Sequence, residues 1–136
     1  MQMIANAVLA VGLHELAHVA VARAIGVRVY QVGMSRRGPF IRRDPGTSGQ
    51  NLMITLAGPG VNLLLALVLY RISPGFALSN LVLGVFNLLP FAASDGARAL
   101  NLLSMMRGKT VSLYSPVHAE AQPTVVTRGK QRGQAA

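Results

Sequence analysis

Three long apolar runs, separated by polar connections, set the organisation of the chain. The first extends from Met3 to Ile25, about 23 residues, which at 1.5 Å per residue is enough to span a hydrocarbon core of about 30 Å. Met1-Gln2 supplies no basic flank and the run is long, so a cleaved leader is not expected. The second, Leu52 to Tyr70, has no charged residue across 19 positions and ends in the interfacial pair Tyr70-Arg71. The third, Phe76 to Met106, is interrupted by Asn87-Leu88-Leu89-Pro90 and by Asp95-Gly96, which predicts one crossing with an unwound middle. Irregular backbone at that depth is tolerated only where protein buries it or where it lines a cavity. The break therefore points to a site.

Between the first two runs, Val27 to Val32 is β-prone and Gly38-Pro39 reads as a turn before Phe40-Ile41, so a small β-hairpin is expected there. From Ser115 to Ala136 the chain is polar, with Pro116, Pro123 and three basic residues. It shows no hydrophobic period and reads as a flexible basic tail. The expected fold class is thus an all-α polytopic membrane protein with three transmembrane segments (about 3–25, 52–70 and 76–106). Residues 1–114 form the membrane-embedded core and 115–136 the tail.

Composition sharpens this picture. Of 136 residues 51% are hydrophobic and 12% charged, and the mean hydropathy is +0.44, whereas an average soluble domain carries about 25% charge. A disordered chain is excluded, and an ordinary soluble globule is disfavoured. A formal charge of +9 would by itself suit nucleic acid, but the basic residues flank the apolar runs. Five Lys and Arg lie in 27–50 and five from Arg107 onward, against Arg71 alone in the turn between the second and third runs. Three crossings place both basic blocks on one side, which the positive-inside rule makes cytoplasmic, with the N-terminus outside. No nucleic-acid partner is expected.

The chain has no Cys, so any metal must be held by His, Asp or Glu. The first run contains His14-Glu15-Leu16-Ala17-His18. Residues four apart share a helix face, so His14 and His18 can direct imidazole nitrogens at one ion with Glu15 alongside, the HExxH zinc pattern. Three ionisable residues within five positions of a membrane span are costly, which argues against coincidence; the alternative is a hydrogen-bonded polar cluster that joins helices. A catalytic zinc commonly takes three protein ligands. Asp44 lies in the basic loop and Glu120 in the tail, which leaves Asp95 inside an apolar run. His14 stands 11 residues before Ile25 and Asp95 11 before Met106, so each lies about 16 Å from the basic side if helical. Asp95 can instead cap the helix that starts at Gly96, or pair with Arg98. His118, in the polar tail, reads as solvated.

His14-Glu15-Leu16-Ala17-His18, Gly58-Pro59-Gly60-Val61-Asn62, and Asn87-Leu88-Leu89-Pro90 followed by Asp95-Gly96-Ala97-Arg98 together resemble the three signatures of the site-2 protease family of intramembrane zinc metalloproteases. The resemblance covers residues 3 to about 106. It implies one Zn2+ ligated by His14, His18 and Asp95, Glu15 as general base, and Asn87 near the reacting carbonyl. It also implies a transmembrane protein as substrate and a prokaryotic cytoplasmic membrane as the setting. The family often has Pro before the Asp and a second Gly after it, where this chain has Ala92, Ala93 and Ala97. Gly58, Pro59, Gly60 and Asn62 also suit plain helix packing. The Asn87 amide suits either an oxyanion or freed backbone groups beside Pro90.

The expected activity is hydrolysis of peptide bonds within or near transmembrane segments; the rival is a metal-binding scaffold or transport subunit without catalysis. Topology is testable at once because the chain lacks native thiols. Ser35→Cys and Ser115→Cys are expected to resist an impermeant thiol reagent applied from outside, and Ser73→Cys to react. Labelling of position 35 from outside reverses the orientation.

Overall fold

The structure is a computed structural model in which residues 1–35 and 38–108 are described; the tail and His118 lie outside the described residues. Its elements run α1 (Gln2–Ala24), β1 (Val29–Ser35), β2 (Gly38–Arg43), α2 (Ser48–Leu69), α3 (Pro74–Leu88) and α4 (Asp95–Met106). α1 and α2 are each long and apolar enough to cross a membrane, while α3 is apolar but has only 15 residues.

Side-chain burial is inverted relative to a water-soluble core. Large apolar residues face outward, among them Ile4, Val8, Leu16, Leu64, Leu67, Leu78 and Phe86. The interior is made mostly of small residues, among them Ala10, Ala17, Ala66, Ala77, Gly58 and Gly84, together with polar His14, His18, Thr55, Asn62, Asn80 and Asp95, and a few larger ones such as Ile54 and Phe76. Small residues let helices approach closely enough for dispersion and interhelical hydrogen bonds to hold them, which is the packing logic where the surroundings are as apolar as Leu. α2 is central and packs on α1, α3 and α4.

The α1 terminus shows why the chain turns where it does. Gly26, at φ +81, adopts the left-handed conformation that ends helices. Its N–H donates to the Arg23 carbonyl and the Val27 N–H to the Ala22 carbonyl, the paired bonds of a Schellman cap. Val27 then packs on Ala22 and Ile54, a small apolar cluster that fastens the hairpin to both long helices. α2 opens with a reciprocal capping box between Thr47 and Gln50. Gln50 Nε2 also donates to the Ile25 carbonyl at 3.1 Å, so the start of α2 is tied to the end of α1.

The expected hairpin is present but shifted. β1 and β2 are antiparallel, with Ser35 opposite Gly38 and Met34 opposite Pro39. Gly38-Pro39 is therefore the start of β2 rather than the turn. Pro39 is tolerated there because each strand of a two-stranded sheet is an edge.

The third run departs further from expectation, since it forms two helices instead of one crossing helix with a local defect. α3 ends as Leu89 turns extended, and α4 begins at Asp95 with Ser94 as its cap, whose hydroxyl accepts from the Ala97 N–H at 3.1 Å. Asp95 is thus freed from capping. The returning chain passes so close to α4 that a Cβ built on Gly96 would overlap the Leu88 carbonyl. Ala93 reaches this path at φ +70, the one positive φ of a non-glycine among the described residues. Two opposite outcomes follow within four residues. Gly96→Ala is expected to lower the thermal midpoint in detergent through an overpacking penalty of about 1–3 kcal/mol or more. Ala93→Gly is expected to leave it unchanged or raise it, since left-handed strain of about 1–2 kcal/mol outweighs a glycine entropy term of about 0.5–1 kcal/mol.

Candidate metal centre

His14 and His18 lie one turn apart on α1 and face inward, with ring centroids 4.8 Å apart and planes at 83°. Asp95, the first residue of α4, reaches them from the far side. Its Oδ2 lies 3.0 Å from His14 Nε2 and 3.3 Å from His18 Nε2, and the two Nε2 atoms are 3.1 Å apart. All three side chains are buried.

Gly58 makes this convergence sterically feasible. A Cβ there would lie 2.6 Å from both Cε1 and Nε2 of His14 and would also strike His18 Nε2. The α2 backbone thus forms one wall of the centre, and hydrogen is the one side chain that fits. Pro59, fully buried beside it, has no N–H to give the Thr55 carbonyl. One turn back, the Ile54 carbonyl accepts from His18 Nδ1 at 2.6 Å. With its proton on Nδ1, His18 presents the lone pair of Nε2 to the cluster.

The donor set therefore fits a metal. Two imidazole nitrogens and a carboxylate oxygen converge with separations of 3.0–3.3 Å, while ligands about 2.0–2.1 Å from a tetrahedral zinc stand about 3.3–3.4 Å from one another. Without a cation or shared protons their lone pairs would repel, and burial leaves little water to screen them.

The remaining candidates fall around this triangle. Glu15, half-buried, is one residue from His14 and makes no hydrogen bond or ion pair with any described residue. Arg98, half-exposed on α4, pairs with Asp95 Oδ1 at 3.7 Å and leaves Oδ2 for the histidines, so the expected Arg98 pairing exists alongside the cluster. Arg43 of β2 donates to Asn51 Oδ1 at 2.8 Å; burial and the Arg98 charge hold it below the ordinary arginine range. Asn87 is not part of the cluster. Its Nδ2 donates to the Leu83 carbonyl at 3.0 Å, the backbone-satisfying alternative raised by its place before Pro90.

The chain is similar to a zinc metalloprotease. That protein, zinc metalloprotease MJ0392 of Methanocaldococcus jannaschii, is 33% identical over 104 residues, covering 67% of this chain. The chain spans 31% of the length of that curated relative. No family model matches the chain.

Some of the site escaped sequence reasoning. Ser94 as the cap was signalled by Ser-Asp-Gly before an apolar run. Asn80, fully buried on α3, was signalled by an amide inside the apolar run Phe76–Leu89, which also holds Asn87. The Ile54 carbonyl has no sequence signal, because every residue carries one.

The centre yields a stoichiometry. Purified protein is expected to bind about one zinc per chain. His14→Ala, His18→Ala and Asp95→Ala are each expected to lose most of it by metal analysis after dialysis, and His118→Ala none. Gly58→Ala is expected to lose zinc as fully as a ligand variant although it removes no donor; full retention there would show that the α2 wall is not fixed.

Proposed function

We propose that the chain is the catalytic core of an intramembrane zinc metalloprotease of the site-2 type, which hydrolyses peptide bonds within or near transmembrane segments of other membrane proteins. One observation carries this reading: the HExxH histidines of α1 meet Asp95 inside a helix bundle whose outer surface is made of large apolar side chains. Similarity to a zinc metalloprotease supports the chemistry, and the two long apolar helices support the setting. In this reading α1 and α2 each cross the bilayer. α3, the break and α4 together make the third crossing, with both basic blocks on the cytoplasmic side.

His14, His18 and Asp95 would hold the ion. Zinc, when bound, supplies Lewis acidity, acidifying water towards a pKa of about 7 and polarising a carbonyl. Glu15 supplies the acid–base chemistry. Its carboxylate makes no described hydrogen bond, and it projects about 100° round the helix from His14. It can take a proton on one oxygen during attack and return it to the leaving amide nitrogen. Water and substrate need a way in, and the break offers it. Leu88 to Ala93 are exposed immediately before buried Asp95, with backbone groups free of a regular ladder. A substrate helix must unwind to expose a carbonyl, and an unwound segment can pair with a free edge of the β1–β2 hairpin.

The decisive comparison is Glu15→Gln against wild type, both zinc-loaded and incubated with single-span substrates. Glutamine keeps the size and hydrogen bonding of Glu15 but cannot take the proton, so zinc content and melting are expected to survive while turnover falls about 10²- to 10⁴-fold. Substrates with Gly or Asn near the scissile bond are expected to be cut faster than Leu-rich versions, because those residues weaken the helix that covers the carbonyl. Equal cleavage by Glu15→Gln removes Glu15 as the base. Zinc binding without cleavage of any span tested by wild type favours a non-catalytic scaffold or transport subunit.

A further inference from the structure

Four buried polar side-chain atoms have no hydrogen-bond partner among the described residues: His14 Nδ1, both ends of the Asn62 amide, and Asn80 Oδ1. Asn80 is half accounted for, since its Nδ2 donates to the Phe76 carbonyl at 2.9 Å. His14 and Asn62 are the two whose needs match. If His14 Nε2 ligates an ion, its remaining proton sits on Nδ1 and requires an acceptor. His18 meets that requirement through the Ile54 carbonyl. His14 has no such carbonyl, and the Asn62 amide, with fractional exposure of 0%, has an acceptor oxygen to spare.

Their placement brings the two groups to one level of the α1–α2 interface. The His14 ring touches the α2 backbone at Gly58, and Asn62 stands one turn further along the same face. Helical side chains lean toward their own N-terminus. α1 and α2 follow each other through a hairpin and carry their Schellman cap and capping box at the same end, so they run antiparallel. By that general lean Asn62 is directed back toward Gly58, the α2 residue that the His14 ring meets. On its other flank Asn62 is held by Gly84 of α3, where an added Cβ would come within 3.3 Å of the Asn62 Cβ.

We propose that Asn62 is a positioning residue for the metal centre: its Oδ1 accepts from His14 Nδ1–H, directly or through one buried water, and so fixes the tautomer and rotation of His14 as the Ile54 carbonyl fixes those of His18. The inference rests on the metal reading of the cluster. It gives Asn62 a task distinct from packing and from substrate contact, and it supplies a partner for the amide oxygen, a buried group that is costly when unsatisfied.

Zinc affinity is measured on the full chain in detergent by competition with a chromophoric chelator, for wild type, Asn62→Ala and Asn62→Asp. Outer hydrogen-bond partners of metal-bound histidines typically contribute 10- to 100-fold in affinity, so Asn62→Ala is expected to raise the zinc Kd by about that factor. Asn62→Asp, which keeps an oxygen toward His14, is expected to remain within about threefold of wild type. Ring-15N spectra of the zinc-loaded protein supply a second readout. The His14 Nδ1 proton is expected to shift in Asn62→Ala while that of His18 stays in place, a selectivity that general loosening would not produce. Should Asn62→Ala not fold, wild type alone decides: the His14 Nδ1 proton shows cross-relaxation to the Asn62 amide protons or to one trapped water, and absence of both overturns the proposal. Equal zinc affinity in wild type and Asn62→Ala removes the positioning role alone. Failure of wild type to bind zinc removes the metal reading and this inference with it.

Discussion

Much of this molecule is arranged around one electrostatic demand: three ionisable side chains, all of them buried, must meet at 3.0–3.3 Å inside a bundle of helices. Two of the three come cheaply, since a four-residue step on α1 stacks His14 and His18 by helical geometry alone. The third requires a tertiary solution. Asp95 must be delivered to the same depth by a different segment, with its carboxylate neither spent on capping nor fully claimed by Arg98. Ser94 takes the capping role, and Arg98 engages Oδ1 alone.

The small residues are the other half of that solution. Gly58 lies where any side chain would displace the imidazoles, and Gly96 where any side chain would displace the Leu88 carbonyl. Both glycines serve close approach of backbone to something polar, at points where the apolar bundle gives no room. Most of the large aliphatic residues are displaced to the outside, and around the cluster what remains inside is short or hydrogen-bonding.

Local chemistry was legible from the sequence, and the routing of the chain less so. The HExxH spacing, the isolation of Asp95 among apolar residues, and the charge-free stretch 52–70 each point to an element or to a residue of the cluster, because each depends on neighbours in sequence. The hairpin was visible as a β-prone stretch, but its turn was misplaced, since Gly38-Pro39 suits an edge strand as well as a turn. The two-helix form of the third run was read as a single interrupted crossing. Apolar content cannot tell a defect within a helix from a true end, and the difference here rests on one hydroxyl, Ser94, and on one alanine held at φ +70. Asn87 was legible as a residue of the break and ambiguous in its use; its amide turned back to its own helix at Leu83.

The break between α3 and α4 then decides where the carboxylate stands. A continuous helix through residues 89–94 would satisfy its own backbone, seal the bundle and carry Asp95 round the axis to a face set by the helical period. Ending α3 at Leu88 and restarting at Asp95 uncouples the carboxylate from that period, so that α4 can present it to α1 while the exposed stretch 88–93 stays beside it. The same departure from helix that orients the third member of the cluster also leaves residues 88–93 exposed beside it. The strained Ala93 and the close approach at Gly96 both lie within two residues of Asp95, where the chain leaves one helix and enters the next.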